Sequence, residues 1–346
     1  MRVWSRLEGY SSRRKAPLVL SLGNFDGVHL GHQEILKRVI ERAKEIKGTA
    51  AALTFHEHPQ RVLSQSREPG LLTSNQHRLL LFHKIGIKIC FLLHFTVPFS
   101  KMTPKEFVEE ILLRRLAVKE VHLGYNAHFG VGRKGDSGLM RQLAHQYGFG
   151  FYETNSVKIG EEFVSSTLIR NAIRVGDLEK ARRLLGRPLN IFASVVRGSG
   201  RGRALGFPTA NLRPHSEILP PRGVYPVRVR VSSYHLKVLT NRDELEFSVE
   251  KPGEWFLGVL NFGIRPTFSV SDESEPIPEV HLINFSGNLY GKTVEVVFYP
   301  RLREEKTFSG ARELSQAIER DVVEAKTYLE SSGASLFTKL GGEAIL

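Results

Sequence analysis

An apolar run, Leu18–Leu22, passes without a spacer into a loop carrying Gly23, Asn24, Phe25, Asp26, Gly27 and Gly31. A helical pattern follows at once, with Ile35, Leu36, Val39, Ile40, Ala43 and Ile46 on one side. The run reads as a buried strand and the pattern as an amphipathic helix. Strand, glycine loop and helix start in that order restrict the chain to an α/β arrangement at this end. Two histidines, His29 and His32, fall where the loop becomes helix.

The alternation continues. Candidate strands are 50–55, 89–95, 120–123 and 149–153, separated by helical patterns over 32–47, 74–85, 104–113 and 138–147. This predicts a Rossmann-like parallel sheet with helices on both faces, and a ligand at the carboxyl ends of its strands. Helices then run from about Ser166 to Leu185, interrupted at Gly176-Asp177. After Gly186-Arg187-Pro188 the pattern changes to short β runs over 191–197, 224–231, 236–239, 244–249, 255–260, 279–285 and 293–299. Their spacing predicts an antiparallel barrel. Leu314, Ile318, Val322, Ala325 and Leu329 predict a last helix packed on it, and the tail after Glu330 reads as frayed. The expected domains are therefore 1–186 and 187–346.

The 346 residues suit two domains. A single cysteine, Cys90, excludes an internal disulfide and lies in an apolar run. No stretch has membrane-spanning length and the N-terminus lacks a secretory pattern, so a cytoplasmic protein with no membrane contact is expected. The net charge of +13 is spread along the chain. No basic block or aromatic-basic RNA-recognition motif stands out, so nucleic acid is not the expected partner. The charge suits phosphorylated small molecules. Oligomeric state is not legible in the sequence.

The His pair has a chemical reading. Attack on the α-phosphorus of ATP builds negative charge on non-bridging oxygens, and imidazole N–H donors stabilise that charge. The helix N-terminus adds amide donors and a positive dipole end, while Gly23, Gly27 and Gly31 let backbone approach phosphate. The bland reading is two surface histidines near a turn. Ser166 and Thr167 precede a helix with Arg170 one turn on; ordinary helix capping is one reading and a grip on leaving pyrophosphate the other. The glycine-rich segment 124–136, with Asn126, is either a solvated loop or one that closes over a nucleotide.

In the second half, 198–211 (Gly198-Ser-Gly-Arg-Gly202-Arg203-Ala-Leu-Gly-Phe-Pro-Thr209-Ala-Asn211) combines glycine and arginine as a phosphate flap would. Thr209 and Asn211 lie on one side of an extended segment and offer neutral oxygens to Mg²⁺. A kinase also needs a base for the accepting hydroxyl, and Glu279 is the candidate, against the plainer reading of a rim carboxylate. Gly291-Lys292-Thr293 is a decoy for a P-loop, because Ser286 stands where a glycine is required.

Gly23–His32, Ser165–Arg170, Leu184–Pro188, Gly206–Asn211, Arg222–Tyr225, Asn261–Phe268, Glu279–Leu282, Leu289–Lys292 and Leu302–Phe308 together resemble the bifunctional bacterial riboflavin kinase/FMN adenylyltransferases. The resemblance spans about Leu18 to Tyr328. It implies a nucleotidyltransferase domain followed by a riboflavin kinase barrel with a C-terminal helix. The barrel would phosphorylate riboflavin with ATP, and the first domain would adenylylate FMN to FAD. It also implies catalytic His29, His32 and Glu279, with Thr209 and Asn211 holding Mg²⁺ and phosphate. Implied at the binding sites are Gly23, Asn24, Phe25, Asp26, Gly27, Asn126, Ser166, Thr167, Arg170, Gly198, Gly202, Arg203, Thr209, Asn211 and Arg303. ATP, riboflavin and FMN are the implied small-molecule substrates.

Two segments depart from the family pattern. After the second strand the family shows Thr-Phe-Asp/Glu-Pro-His-Pro, whereas this chain has Thr54-Phe55-His56-Glu57-His58-Pro59. After Gly124 it has Asn126, Ala127 and His128 where an aromatic and often an arginine are usual. Both segments lie near the flavin in the family, which leaves open a chain with a weak or repurposed adenylyltransferase half. An RNA-binding flavin sensor is the reading from another class. An insertion near 234–254 is polar and is expected to be exposed.

Overall fold

A computed structural model of the chain describes residues 1–10, 16–57, 70–198, 202, 205–215, 217–239, 243–250, 253–263 and 277–333. The residues divide into two compact units. The first comprises Met1–Pro69, Asn75–Ser166 and Tyr234–Glu250; the second comprises Gly70–Ser74, Thr167–Ser233 and Lys251–Leu346.

The first unit is built on β1 (Arg2–Trp4), β2 (Leu18–Leu22), β3 (Thr49–Phe55), β4 (Ile89–Leu93), β5 (Val118–Gly124) and β6 (Gly150–Thr154). These six strands are mutually parallel, in the order β1-β4-β3-β2-β5-β6. β2 and β4 are buried along their whole length, as continuous apolar runs in a covered parallel sheet must be. Leu20, Leu53, Phe91, Leu112, Val121 and Leu123 share the core on one side. Cys90 is fully buried, and burial pushes its thiol up to about 12, which keeps it protonated. A two-stranded piece, β7 (Lys158–Ile159) and β8 (Glu162–Phe163), stands apart.

The order β4-β3-β2-β5 reverses direction between β2 and β5. That is the topological switch point, and the crevice at the carboxyl ends of these two strands is where such sheets bind ligands. β2 hands over there to α1 (Leu30–Glu45), and β5 to the 125–136 loop.

The insertion is a pair of strands. Its two strands, β12 (Tyr234–Val238) and β13 (Glu244–Val249), leave the barrel and extend the parallel sheet, with β13 antiparallel to β1. This corrects the counting of 236–239 and 244–249 among barrel strands; residues 235–239 are exposed as expected, while Glu244 and Phe247 of β13 are buried. The reason is an open edge: β1 pairs with β4 on one side only, and β13 satisfies the other. Phe247 is 0% exposed, exchanges backbone hydrogen bonds with Met1, and stacks on Tyr234.

The second unit holds a closed six-stranded barrel in the order β10-β15-β14-β11-β16-β9. Its strands are β9 (Asn190–Val196), β10 (Thr209–Pro214), β11 (Gly223–Val231), β14 (Phe256–Phe262), β15 (Glu279–Leu282) and β16 (Thr293–Phe298). The decoy Gly291-Lys292-Thr293 is a turn into β16, with Gly291 at φ 74°. The last helix, Ala311–Tyr328, sets Val322 and Ala325 against Val224 and Val259 of the barrel. The tail reading beyond 333 falls outside the described residues. Among the described residues, no helix is long and apolar enough to cross a membrane.

Candidate active sites

In the first unit, the β2–α1 loop departs sharply from ordinary backbone. Phe25 (φ 49°), Gly27 (φ 84°) and Val28 (φ 38°) all take the left-handed region. For a β-branched valine that costs on the order of 1–3 kcal/mol, so the surroundings must hold it. They do. Arg78 donates to the carbonyls of Asn24 and Phe55, each at 2.6 Å. Thr54 Oγ1 donates to Asn24 O at 3.1 Å, Gln33 Nε2 to Val28 O at 2.9 Å, and Ser166 Oγ to Asp26 O at 2.9 Å. The Phe25 ring is buried edge-on against Phe82 and His32. Loop carbonyls are thus turned away into the protein. Arg78→Ala is expected to destabilise the fold by about 1.5–3 kcal/mol, read as a lowered urea midpoint, because it strips a charged donor from buried carbonyls.

His29 is the N-cap of α1. Its Nδ1 accepts from the His32 amide at 3.4 Å. An accepting Nδ1 is unprotonated, so the neutral ring carries its proton on Nε2, and that nitrogen is the donor. The His32 ring stacks on it, 3.6 Å between centroids and 17° from parallel. Burial, then His29, then Arg78 hold His32 well below the usual histidine range. It is neutral at physiological pH and still has one N–H to give. A Cβ at Gly31 would lie 3.2 Å from the His29 ring, so a larger residue there would press on the ring.

The other predicted residues of this half divide. Gly23 and Asn24 are partly exposed within the loop, and Asp26 is buried beneath it. Asn126 is exposed just after β5. The 125–136 loop is pinned at its base by paired backbone bonds between Phe129 and Gly135. Ser166, which ends the Asn75–Ser166 segment of the first unit, opens the helix Ser166–Arg174. Thr167 and Arg170 belong to the second unit, where Arg170 is buried and its Nε donates to Gly70 O at 2.9 Å.

In the barrel, antiparallel pairing of β10 with β15 sets Asn211 opposite Glu279 and Thr209 opposite His281. Thr209 Oγ1 donates to Glu279 Oε2 at 3.5 Å. A carboxylate, a hydroxyl and a carboxamide therefore meet on one patch of barrel wall, although 70 residues separate Thr209 from Glu279. The glycines before them are seated on that patch. A Cβ at Gly198 would lie 2.0 Å from Asn211 Nδ2, and one at Gly202 would lie 2.5 Å from Phe207 O and 3.0 Å from Thr209 Oγ1. Only glycine allows backbone so close to these side chains. Arg203 lies outside the described residues. Arg303 makes a bidentate ion pair with Asp321 of the last helix, at 2.8 and 2.7 Å.

The donor set of the patch suits Mg²⁺, since all three side chains offer hard oxygen ligands. Thr54, Gln33, Arg78 and Asp321 were not legible as site-building residues. Arg78 sits within the helical pattern Asn75–Ile85, where nothing in a single sequence separates a carbonyl-bracing arginine from a surface one.

Comparison with known proteins matches both halves. The family model described as FAD synthetase covers residues 11–168, and that described as riboflavin kinase covers 185–329. The curated relatives include bifunctional riboflavin kinase/FMN adenylyltransferases. That of Haemophilus influenzae is 34% identical over 90% of this chain and 94% of its own length. That of Bacillus subtilis is 34% identical, over 92% and 94%. That of Escherichia coli K12 is 31% identical, over 93% and 97%. A crystal structure described as a macrolide-efflux protein from Streptococcus pneumoniae shares the fold, with TM-score 0.76, 25% identity and coverage of 94% and 98%. The two family models, matched one after the other in a single chain, define a two-domain transferase. The chain belongs to the bifunctional riboflavin kinase/FMN adenylyltransferase family.

Proposed function

We propose that the two halves act in sequence on one flavin, divided functionally at 186/187: the barrel makes FMN from riboflavin and ATP, and the first half joins AMP to FMN. The chain is a bifunctional riboflavin kinase and FMN adenylyltransferase. The observation that carries the assignment of chemistry to residues is that each unit gathers its own reactive set. His29 and His32 stack at the switch point. Glu279 meets Thr209 and Asn211 in the barrel.

In the adenylyl transfer, the FMN phosphate oxygen attacks the α-phosphorus of ATP, the bond to the β-phosphate breaks, and pyrophosphate leaves. His29, as the Nε2–H tautomer, donates to a non-bridging oxygen as charge develops there. His32, neutral, adds its one N–H, and the α1 amides supply the positive dipole end. Because the loop is braced before substrate arrives, little reorganisation is needed during reaction. Gly23–Gly27, Asn126 and Ser166 line the nucleotide side of this reading. For Thr167 and Arg170 a pyrophosphate role rests on the family motif.

In the kinase, Glu279 accepts the proton of the riboflavin hydroxyl as its oxygen attacks the γ-phosphorus, and ADP leaves. Thr209 and Asn211 would hold Mg²⁺, which neutralises phosphate charge when bound. Gly198 and Gly202, with Arg203 on the family motif alone, are the candidates for the phosphate flap. Arg303 is a weaker binding candidate, since Asp321 already engages its guanidinium. No nucleic-acid ligand enters the reading. The decisive experiment is product analysis of purified protein with riboflavin, ATP and Mg²⁺. FMN followed by FAD is expected. FMN alone would reduce the chain to a kinase, and neither product would defeat the reading.

Gly198→Ala gives an independent check on the flap. The added methyl must displace the Asn211 amide, so FMN formation is expected to fall on the order of 10²-fold, as ångström-scale misplacement does. FAD formation from supplied FMN should stay unchanged, and both are read by chromatography of the flavins.

A further inference from the structure

The segment that departs from the family pattern after β3 is not random. His56 and Glu57 follow the carboxyl end of β3, and His94 follows that of the neighbouring strand β4. The His56 amide donates to Leu93 O at 2.8 Å, and Asn75 Nδ2 donates to His56 O at 3.0 Å, so the backbone of this corner is fixed. The two imidazole rings lie 5.0 Å apart and 24° from parallel. His94 Nδ1 is 2.9 Å from Glu57 Oε1, and His56 Nδ1 is 3.6 Å from the same oxygen. Three ligand atoms therefore converge within 4.8 Å of one another.

We propose that His56, Glu57 and His94 form a binding site for a borderline divalent transition metal, Zn²⁺ being the best match, with solvent completing the coordination. Two imidazoles and one carboxylate with an open position is a recognised zinc donor set. With metal–ligand bonds of about 2.0–2.1 Å, ligand atoms of a tetrahedral site stand roughly 3.3 Å apart, so the observed 2.9 and 3.6 Å bracket it. The carboxylate is already oriented. Phe95 N–H donates to Oε2 at 3.3 Å, which leaves Oε1 toward the rings. Such outer hydrogen bonds fix ligand geometry in metal sites.

The cation bearing on this corner is Arg78, and its two terminal guanidinium nitrogens are engaged by Asn24 O, Phe55 O and Asn75 Oδ1. Side-chain exposure of 49% for His56, 52% for His94 and 28% for Glu57 lets an ion enter from solvent without unfolding. Nitrogen donors set this cluster apart from the all-oxygen patch at Thr209, Asn211 and Glu279, which suits Mg²⁺.

The test uses the full-length chain without an affinity tag, stripped by a chelator and titrated with Co²⁺ under excess Mg²⁺. Binding of a single equivalent is expected, with visible absorption bands that Zn²⁺ abolishes. His94→Ala and Glu57→Gln should each weaken Co²⁺ binding by at least about tenfold, since even outer-sphere partners cost that much. Circular dichroism should be unchanged, and His56→Ala replaces either variant that fails to fold. Absence of saturable binding, equal affinity in the variants, or a thiolate charge-transfer band from Cys90 would each overturn the proposal.

Discussion

His29→Ala is expected to lower FAD formation from FMN and ATP by about 10²–10³-fold, the usual cost of one donor at a developing oxyanion. FMN formation from riboflavin should be unaffected. Alanine also removes the N-cap of α1, worth about 1 kcal/mol, so the loss mixes a helix effect with the chemical one. His29→Asn separates the two effects. Asparagine caps well but has no imidazole, so its thermal midpoint should match the parent while its rate stays low. A His29→Asn enzyme with the parent rate would show that His29 only caps.

Glu279→Gln is the mirror experiment. The amide keeps the size of the side chain beside Thr209 but cannot take the hydroxyl proton. FMN formation should drop about 10²–10⁴-fold, the range for a general base. FAD formation from supplied FMN should persist at the parent rate. If either substitution stopped both reactions in a folded protein, separate sites would be the wrong description.

Local signals carried much of this organisation. The run Leu18–Leu22 and the period of α1 are properties of contiguous residues, and the strand–helix alternation follows from them. Thr209 and Asn211 could be paired because an extended segment puts alternate residues on one side. Their meeting with Glu279 depended on β10–β15 register, which no local pattern encodes. The insertion failed for the same reason. β13 alternates apolar Leu245, Phe247 and Val249 with polar Glu244, Glu246 and Ser248 much as a barrel strand does, and its partner β1 lies some 240 residues away. The bracing of the nucleotide loop was hidden differently. Arg78 and Thr54 serve carbonyl groups, which leave no trace in side-chain identity.

The β1–β13 pairing also has a consequence for how the chain is made. Synthesis delivers β1 first and β13 only after two helices and three strands of the second unit, from Thr167 through β11, have emerged. Until residue 249 leaves the ribosome, the parallel sheet carries a bare edge at Arg2–Trp4, the kind of edge that invites pairing with other nascent chains. The first half is therefore not finished when its own sequence ends. A chain stopped at 186 would keep both histidines and the nucleotide loop yet lack its closing strands. It should be recovered chiefly as aggregate unless residues 234–250 are supplied alongside.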